Sequence, residues 1–242
     1  GVALVAAFAS SLQAQTYPSR SLRIVVPFAP GGSTDIFARL IGDRLAVGLG
    51  QPVVIENRPG AGGNIGAELV AKSPPDGYTL LMATTGVMAI NSSLYRNLNY
   101  DAAKDLEPVC YIASITNVLI VPADSPLKSV GDLIAAAKAA PGKLTFASSG
   151  AGSSTHMSAE LFKSMAGIDL LHVPYKGSGQ ALPDLITGRV SIMFENMPGA
   201  VSYIQSGKLN VLAVTGLKRT PALPDVKTVA ESGVAGYESL SW

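Results

Sequence analysis

Apolar residues along this chain come in two spacings: short unbroken blocks, and longer stretches where they recur every third or fourth position. Blocks of the first kind predict strands buried on both faces; stretches of the second predict amphipathic helices. Residues 23–27 (RIVVP), 52–56 (PVVIE) and 79–83 (TLLMA) are blocks. Between them a helical pattern covers 34–49, with Ile36, Phe37, Leu40, Ile41 and Leu45 on one face and Gly48 and Gly50 at its end. A shorter helix follows the glycine-rich stretch 57–66 and runs to about Lys72, where 73–77 (SPPDG) turns the chain.

The same order returns further on. Residues 144–147 form a strand, and 148–155 (SSGAGSST) a loop. A helix covers 156–166, with Met157, Leu161, Phe162 and Met165 facing inward. Then come a strand at 170–173, the loop 174–180 (PYKGSGQ), a helix over 181–187 closed by Gly188, and a strand at 190–194. Strand, loop, helix, strand, loop, helix, strand thus occurs over both 23–83 and 144–194. Each copy is a βαβαβ unit, whose handedness gives a parallel sheet with its loops on one edge. Two such units face to face make an α/β, two-lobe architecture, each lobe a mainly parallel sheet flanked by helices, with four glycine-rich loops around one cleft.

Outside the two copies the pattern is plainer. Two strands are predicted at 109–115 and 118–121, and a helix starts at Ser129 with Asp132 completing a capping box and stops at Pro141 and Gly142. Pro198 opens a helix ending near Gly207, 209–214 is a strand, a helix lies near 226–232, and 239–242 begins another strand. At the start of the chain, the apolar run 2–9 followed by small residues to Ala14 reads as the core of a secretory signal, too short to span a bilayer. The expected organisation is 1–14 signal remnant, 15–105 first lobe, 106–215 second lobe and 216–242 a return segment towards the first, with the native protein continuing past Trp242.

Composition narrows the function classes. Charged residues make up 14% of the chain and the net charge is +1, with no basic run, which argues against nucleic acid as a partner. The one cysteine, Cys110, rules out an intrachain disulfide or a cysteine metal cluster, and its apolar surroundings predict a small core residue. Export without disulfides suits a Gram-negative periplasm. His156 and His172 have no Cys, His or carboxylate at ligand spacing, so no metal is expected. The stretch GAGGNIG puts Ile65 where the third glycine of a dinucleotide loop belongs, and no G-x-S-x-G elbow or Ser/His/acid set is evident. No catalytic residue and no cofactor are assigned.

Candidate chemistry lies on the loops. In 27–35 (PFAPGGSTD), Gly31 and Gly32 allow a tight turn, and Ser33, Thr34 and Asp35 start a helix whose free N–H groups and dipole favour an anion. For Asp35, capping alone and contact with an amino group or ordered waters stand as equal readings. The loop 148–155 offers the hydroxyls of Ser148, Ser149, Ser153, Ser154 and Thr155 with free amides, donors that suit a carboxylate. Thr84, Thr85 and Gly86 end a strand at the edge where open α/β sheets bind ligands, and Tyr175, Lys176, Gly177 and Ser178 take the equivalent place in the second copy. Tyr175 offers an apolar wall with a polar tip, while the Lys176 head group is expected in solvent. His156 is placed beside the cleft; His172, inside a strand, is expected to be structural.

Five blocks in order, IVVPFAPGGSTDIFARL, IENRPGAGGNIGAELVAKSPPDGYTLL, FASSGAGSSTHMSAELF, VPYKGSGQALPDLITGRVSIMF and GKLNVLAVT, resemble the Bug family, the TctC-like periplasmic solute receptors of tripartite tricarboxylate transporters. The resemblance runs from Tyr17 to Trp242. It implies a monomeric Venus-flytrap receptor without enzymatic activity, which captures a small carboxylate for integral-membrane permease subunits. The ligand would be a di- or tricarboxylate, an acidic amino acid or an aromatic acid. It also implies that the ligand is held between the first loop, including Phe28, Ala29, Gly32, Ser33 and Asp35, and the second-lobe loop with Ser148, Ser149, Gly152, Ser153 and His156. Glu195 stands where the family pattern suggests aspartate, which alters the far end of the pocket. The competing readings are an enzyme on a doubly wound α/β fold and an orphan binding protein serving a sensor.

Overall fold

A computed structural model describes residues 16–242; the proposed signal segment at 1–14 lies outside them. Strand β1 (Leu22–Val26), helix α1 (Ser33–Leu49), β2 (Val53–Asn57), α2 (Asn64–Ala71) and β3 (Thr79–Leu81) build the first lobe. Its sheet is parallel throughout, in the order β2-β1-β3. A π-helical turn (Gly86–Ile90) runs into the short helix α3 (Asn91–Leu94).

The second lobe contains β4 (Ile115–Pro122), α4 (Val130–Ala139), β5 (Thr145–Ser148), α5 (Ser154–Ala166), β6 (Leu171–Pro174), α6 (Ser178–Ile186), β7 (Ile192–Asn196), α7 (Met197–Gln205) and β8 (Leu209–Val214). Its sheet has the order β6-β5-β7-β4-β8, with β9 (Leu240–Ser241) added on β4. The repeated unit stays parallel, β5 against β6 and β7, whereas β4 runs antiparallel to β7 and β8. The expected two-lobe α/β architecture is the one observed.

Along β4 the side chains alternate between two buried layers. Leu119 and Val121 join Phe146, Phe162, Ile192, Phe194 and Tyr237 on one face; Val118 and Ile120 join Leu182, Leu185, Met193 and Val214 on the other. Helices cover both faces, which is why the strands read as unbroken apolar blocks. The first lobe has a smaller core of Ile24, Val26, Ala38 and Met82 on one side and Ala67, Val87 and Tyr100 on the other.

Several expectations need correcting. Residues 109–114 form no strand, Val109 is 79% exposed, and Cys110 is exposed rather than core. An apolar block becomes a strand only where a neighbour pairs its backbone, and pairing to β4 starts at Ile115. Helix α1 buries its large residues only in part: Ile41 and Leu45 pack half-buried against the first-lobe core, but Ile36 and Leu40 are 41% and 55% exposed, while Ser33, Asp35, Ala38 and Gly42 are buried. Small residues let α1 sit close to β2, and a Cβ on Gly42 would lie 2.9 Å from Ile55 Cδ1. Helix α5 likewise exposes Leu161 and Met165 and buries Thr155, Ser158, Ala159 and Phe162. Near 226–232 there are turns and no helix. Thr228 and Glu231 exchange capping hydrogen bonds of 2.8 and 3.0 Å, but Gly233 (φ 107°) ends the turn at once.

Candidate functional site

The loops after β1, β3, β5, β6 and β7 meet where the two lobes face each other. Gly31, at φ 87°, turns the chain into α1. Asp35 then fixes this loop from inside the first helical turn. It accepts the Gly31 N–H at 3.0 Å, the Arg39 guanidinium at 3.0 Å through each oxygen, and Asn57 Nδ2 at 2.9 Å. Asn57 also donates to the Phe28 carbonyl at 3.0 Å. Burial works to raise the Asp35 pKa, but the hydrogen bonds from Arg39, Gly31 and Asn57 outweigh it and hold the carboxyl below its usual range.

The second-lobe loop is braced without ions. Ser153 caps α5, accepting the His156 N–H at 3.3 Å while its hydroxyl donates to the Gly150 carbonyl at 2.6 Å. Thr155 Oγ1 accepts the Ser149 N–H at 2.9 Å. At the start of α6, Ser178 donates to Glu195 Oε2 at 2.6 Å. The other Glu195 oxygen, Oε1, is buried with no partner, and no cation pairs with this carboxyl among the described residues. Burial pushes the Glu195 pKa up to about 8.

The lobes touch through backbone. Ala29 N–H donates to the Lys176 carbonyl at 2.9 Å, Tyr95 Oη to the Ala151 carbonyl at 2.9 Å, and Gly199 N–H to Ser33 Oγ at 2.9 Å. A Cβ on Gly179 would overlap the Pro30 carbonyl oxygen, and one on Gly62 the Ala151 carbonyl oxygen. Glycine is required at these positions by the close approach.

Between these contacts lies a cleft of about 370 Å³, its open mouth included. Four helix N-termini converge on it: Ser33, Thr34 and Asp35 from α1, Ser153 and Ser154 from α5, Ser178 from α6, and Asn196 ahead of α7. Phe28, Gly32, Thr84 and Ser149 complete the wall; no lysine, arginine or histidine lines it among the described residues. Thr84 Oγ1 is buried there without a hydrogen-bond partner. The cleft opens past Thr34 and Ser154 into a recess lined by Phe37, Met82, Ile112 and Trp242.

Of the residues singled out in the sequence, the structure brings Phe28, Gly32, Ser33, Thr34, Asp35, Thr84, Ser149, Ser153, Ser154 and Ser178 to this wall. The others stand behind or beside it. Ala29 and Gly177 are packed against each other in the contact between lobes, and Gly86 against the Gly152 carbonyl. Thr85 bonds the Trp242 backbone, and Ser148 bonds His172. His156 is not on the wall; its Nδ1 accepts the Gly152 N–H at 3.2 Å and its ring stacks on His172. Tyr175 donates to Asp184 at 2.8 Å, Lys176 contributes its carbonyl and leaves its side chain in solvent, and Glu195 lies wholly buried behind Ser178. Asn196 is the wall residue that carries no expectation from sequence. The available cue is Pro198 in the first turn of α7.

A model of the tripartite tricarboxylate transporter family receptor, TctC, matches residues 37–242. Protein BugT of Bordetella pertussis is 42% identical over 238 residues, covering 98% of this chain and 73% of that protein. The solved structure of R. palustris Rpa4515 with adipate superposes with a TM-score of 0.91 at 46% identity, covering 93% of this chain and 76% of that one. MatC (Rpa3494) from Rhodopseudomonas palustris with bound malate superposes with a TM-score of 0.89 at 34% identity, covering 93% and 77%.

Proposed function

This chain belongs to the tripartite tricarboxylate transporter receptor family, and from that premise we propose that it is an exported, periplasmic solute receptor that captures a small carboxylate between its lobes. The observation that carries the reading is the convergence of four helix N-termini on one cleft with no cationic side chain in its wall among the described residues. Each terminus presents amides without helical partners and about half a positive charge. A carboxylate there replaces its hydration with fixed dipoles from both lobes at once. Thr84, whose hydroxyl lacks a partner, supplies one more donor.

The ligand bridges the first-turn amides of α1 and α5, partly through ordered waters, and favours lobe closure by contacts that exist only when the lobes meet. Adipate and malate in the related structures fit the same chemistry. The receptor acts as a monomer, performs no reaction, and delivers its cargo to integral-membrane permease subunits. Selectivity among acids comes from the rim and from Glu195 behind Ser178.

Thermal denaturation against adipate, malate, the neutral diamide of adipate, NAD and ATP tests this. At about a hundredfold excess over Kd, a bound acid adds about 2.7 kcal/mol of stability. For a chain of this size that is a rise in Tm of about 5–10 °C. The reading expects a rise with an acid and none with the diamide; a rise with NAD or ATP alone would overturn it.

A further inference from the structure

We propose that the stacked pair His156 and His172 positions the carboxylate-binding loop 148–153 from behind, and that protonating the pair loosens the loop and releases the ligand. The inference rests on the receptor reading above, since it assumes that this loop holds the carboxylate.

The geometry ties both rings to the loop backbone. His156 Nδ1 accepts the Gly152 N–H at 3.2 Å. His172 Nε2 and Ser148 Oγ share a hydrogen bond of 2.6 Å, and Ser148 Oγ also accepts the Gly150 N–H at 3.2 Å. The two glycine amides that shape the loop therefore end, directly or through one hydroxyl, on imidazole nitrogens. Both glycines have left-handed φ, 133° at Gly150 and 84° at Gly152, so outside bonds are needed to hold them in one conformation. Gly152 precedes Ser153, which is on the cleft wall, and its carbonyl packs against Gly86 of the first lobe.

The rings form a stack with Phe146, at 4.1 Å between the two imidazoles and 4.7 Å from His172 to Phe146. The arrangement requires a neutral His156, whose Nδ1 must accept. A proton on His156 Nδ1 would point at the Gly152 N–H, and a second positive ring would lie in van der Waals contact with the first. The charged neighbours are Glu160 and Lys163 on α5, with Glu160 3.8 Å from His156 Nε2 and Lys163 within 4.0 Å of Asp169. Phe146 faces the pair from β5. Burial lowers both pKa values against the opposing pull of Glu160; His172 falls to about 4, with His156 as the second cause. The pair is thus neutral at neutral pH and charges only on acidification. Dipole-based binding from the helix N-termini has no such dependence of its own, so a pH response beyond that of the ligand belongs to the rings.

The test compares the wild type with His156→Asn, which keeps an acceptor near the Nδ1 position but does not titrate, and His156→Leu, which has none. Adipate and malate serve as probes in calorimetry at about pH 7.5 and about pH 4, the lower value reaching the His172 pKa of about 4. The wild type should lose about tenfold more affinity between the two than His156→Asn, the equivalent of one pKa unit. His156→Leu should bind weakly at both, and His156→Asn should recover most of that loss at neutral pH. Without ligand, the Gly152 amide resonance of the wild type should move with pH, and that of His156→Asn should not. A Gly152 amide that stays put, or His156→Asn sharing the wild-type pH profile, overturns the inference. If neither acid binds any of the three proteins, the receptor reading fails for those probes, and the amide titration alone still decides whether the rings hold the loop.

Discussion

Asp35, in the first turn of α1, and Glu195, near the end of β7, are both buried carboxyls close to the cleft, yet the two lobes treat them in opposite ways. In the first lobe Asp35 is saturated by Arg39, Asn57 and the Gly31 amide, and stays ionised. Arg39 is itself 52% exposed, so the pair keeps part of its hydration while tying down the loop. In the second lobe Glu195 has one hydroxyl donor, one orphan oxygen and, among the described residues, no cation, and its pKa climbs. The loop beside it is braced by hydroxyls and imidazoles, all neutral. One half of the cleft is held by fixed charge and the other by groups that can titrate.

The largest effect expected from breaking this contrast is on the charged side. Asp35→Ala removes the acceptor of Gly31, Arg39 and Asn57 together and should lower stability by about 2–3 kcal/mol in urea denaturation. Arg39→Ala should cost less, because its partner keeps the Gly31 and Asn57 bonds. If the two variants are equally destabilised, the network acts as a simple ion pair.

Next comes the contact between lobes. Gly179→Ala places a methyl group on the Pro30 carbonyl and should hold the lobes apart. Affinity for a bound acid should fall by at least about tenfold in calorimetry, while the ligand-free Tm barely changes, because closure and folding draw on different contacts.

The neutral side is sharpened by pH. The Glu195 pKa rises from 4.5 to about 8 on folding, so its penalty is absent below pH 4.5 and grows as pH rises through that window. Glu195→Gln should therefore match the wild type near pH 4.5 and exceed its Tm by a few degrees above pH 8, as scanning calorimetry would show. The Asp35 contribution has the opposite sign: it is present above 3.8 and lost only as pH falls further. A smaller acid-side effect belongs to His172, whose pKa drops from 6.5 to about 4 on folding. The stability it lends should disappear as pH falls through that interval, and His172→Gln should flatten the Tm profile there.

Much of this was legible in the chain because glycine and hydroxyl residues cluster where helices start. The stretches PGGSTD and SSGAGSST mark where α1 and α5 start, while the carboxylate role proposed for them rests on the family resemblance. Asn196 has no such cluster, and the start of α6 is harder to place. The start of α6 is set by Gly177 at φ 150°, and Pro183 inside the helix shifts the apparent boundary towards Ala181. The buried state of Glu195 depends on β7 lying between β5 and β4, a tertiary fact with no local trace. On α1 and α5 the pattern holds for Ile41, Leu45 and Phe162 but fails for Ile36, Leu40, Leu161 and Met165, because close packing selects small residues there, which a hydrophobic pattern weights least. The run 109–115 looked like a strand, and the pattern carries no information on whether a partner is present.

A crystal structure of the protein with adipate tests the central claim most directly. The account predicts one carboxylate within about 3 Å of first-turn amides of both α1 and α5, with no lysine or arginine head group touching it. A carboxylate held by a cationic side chain, or bound to one lobe away from these helix starts, would contradict it.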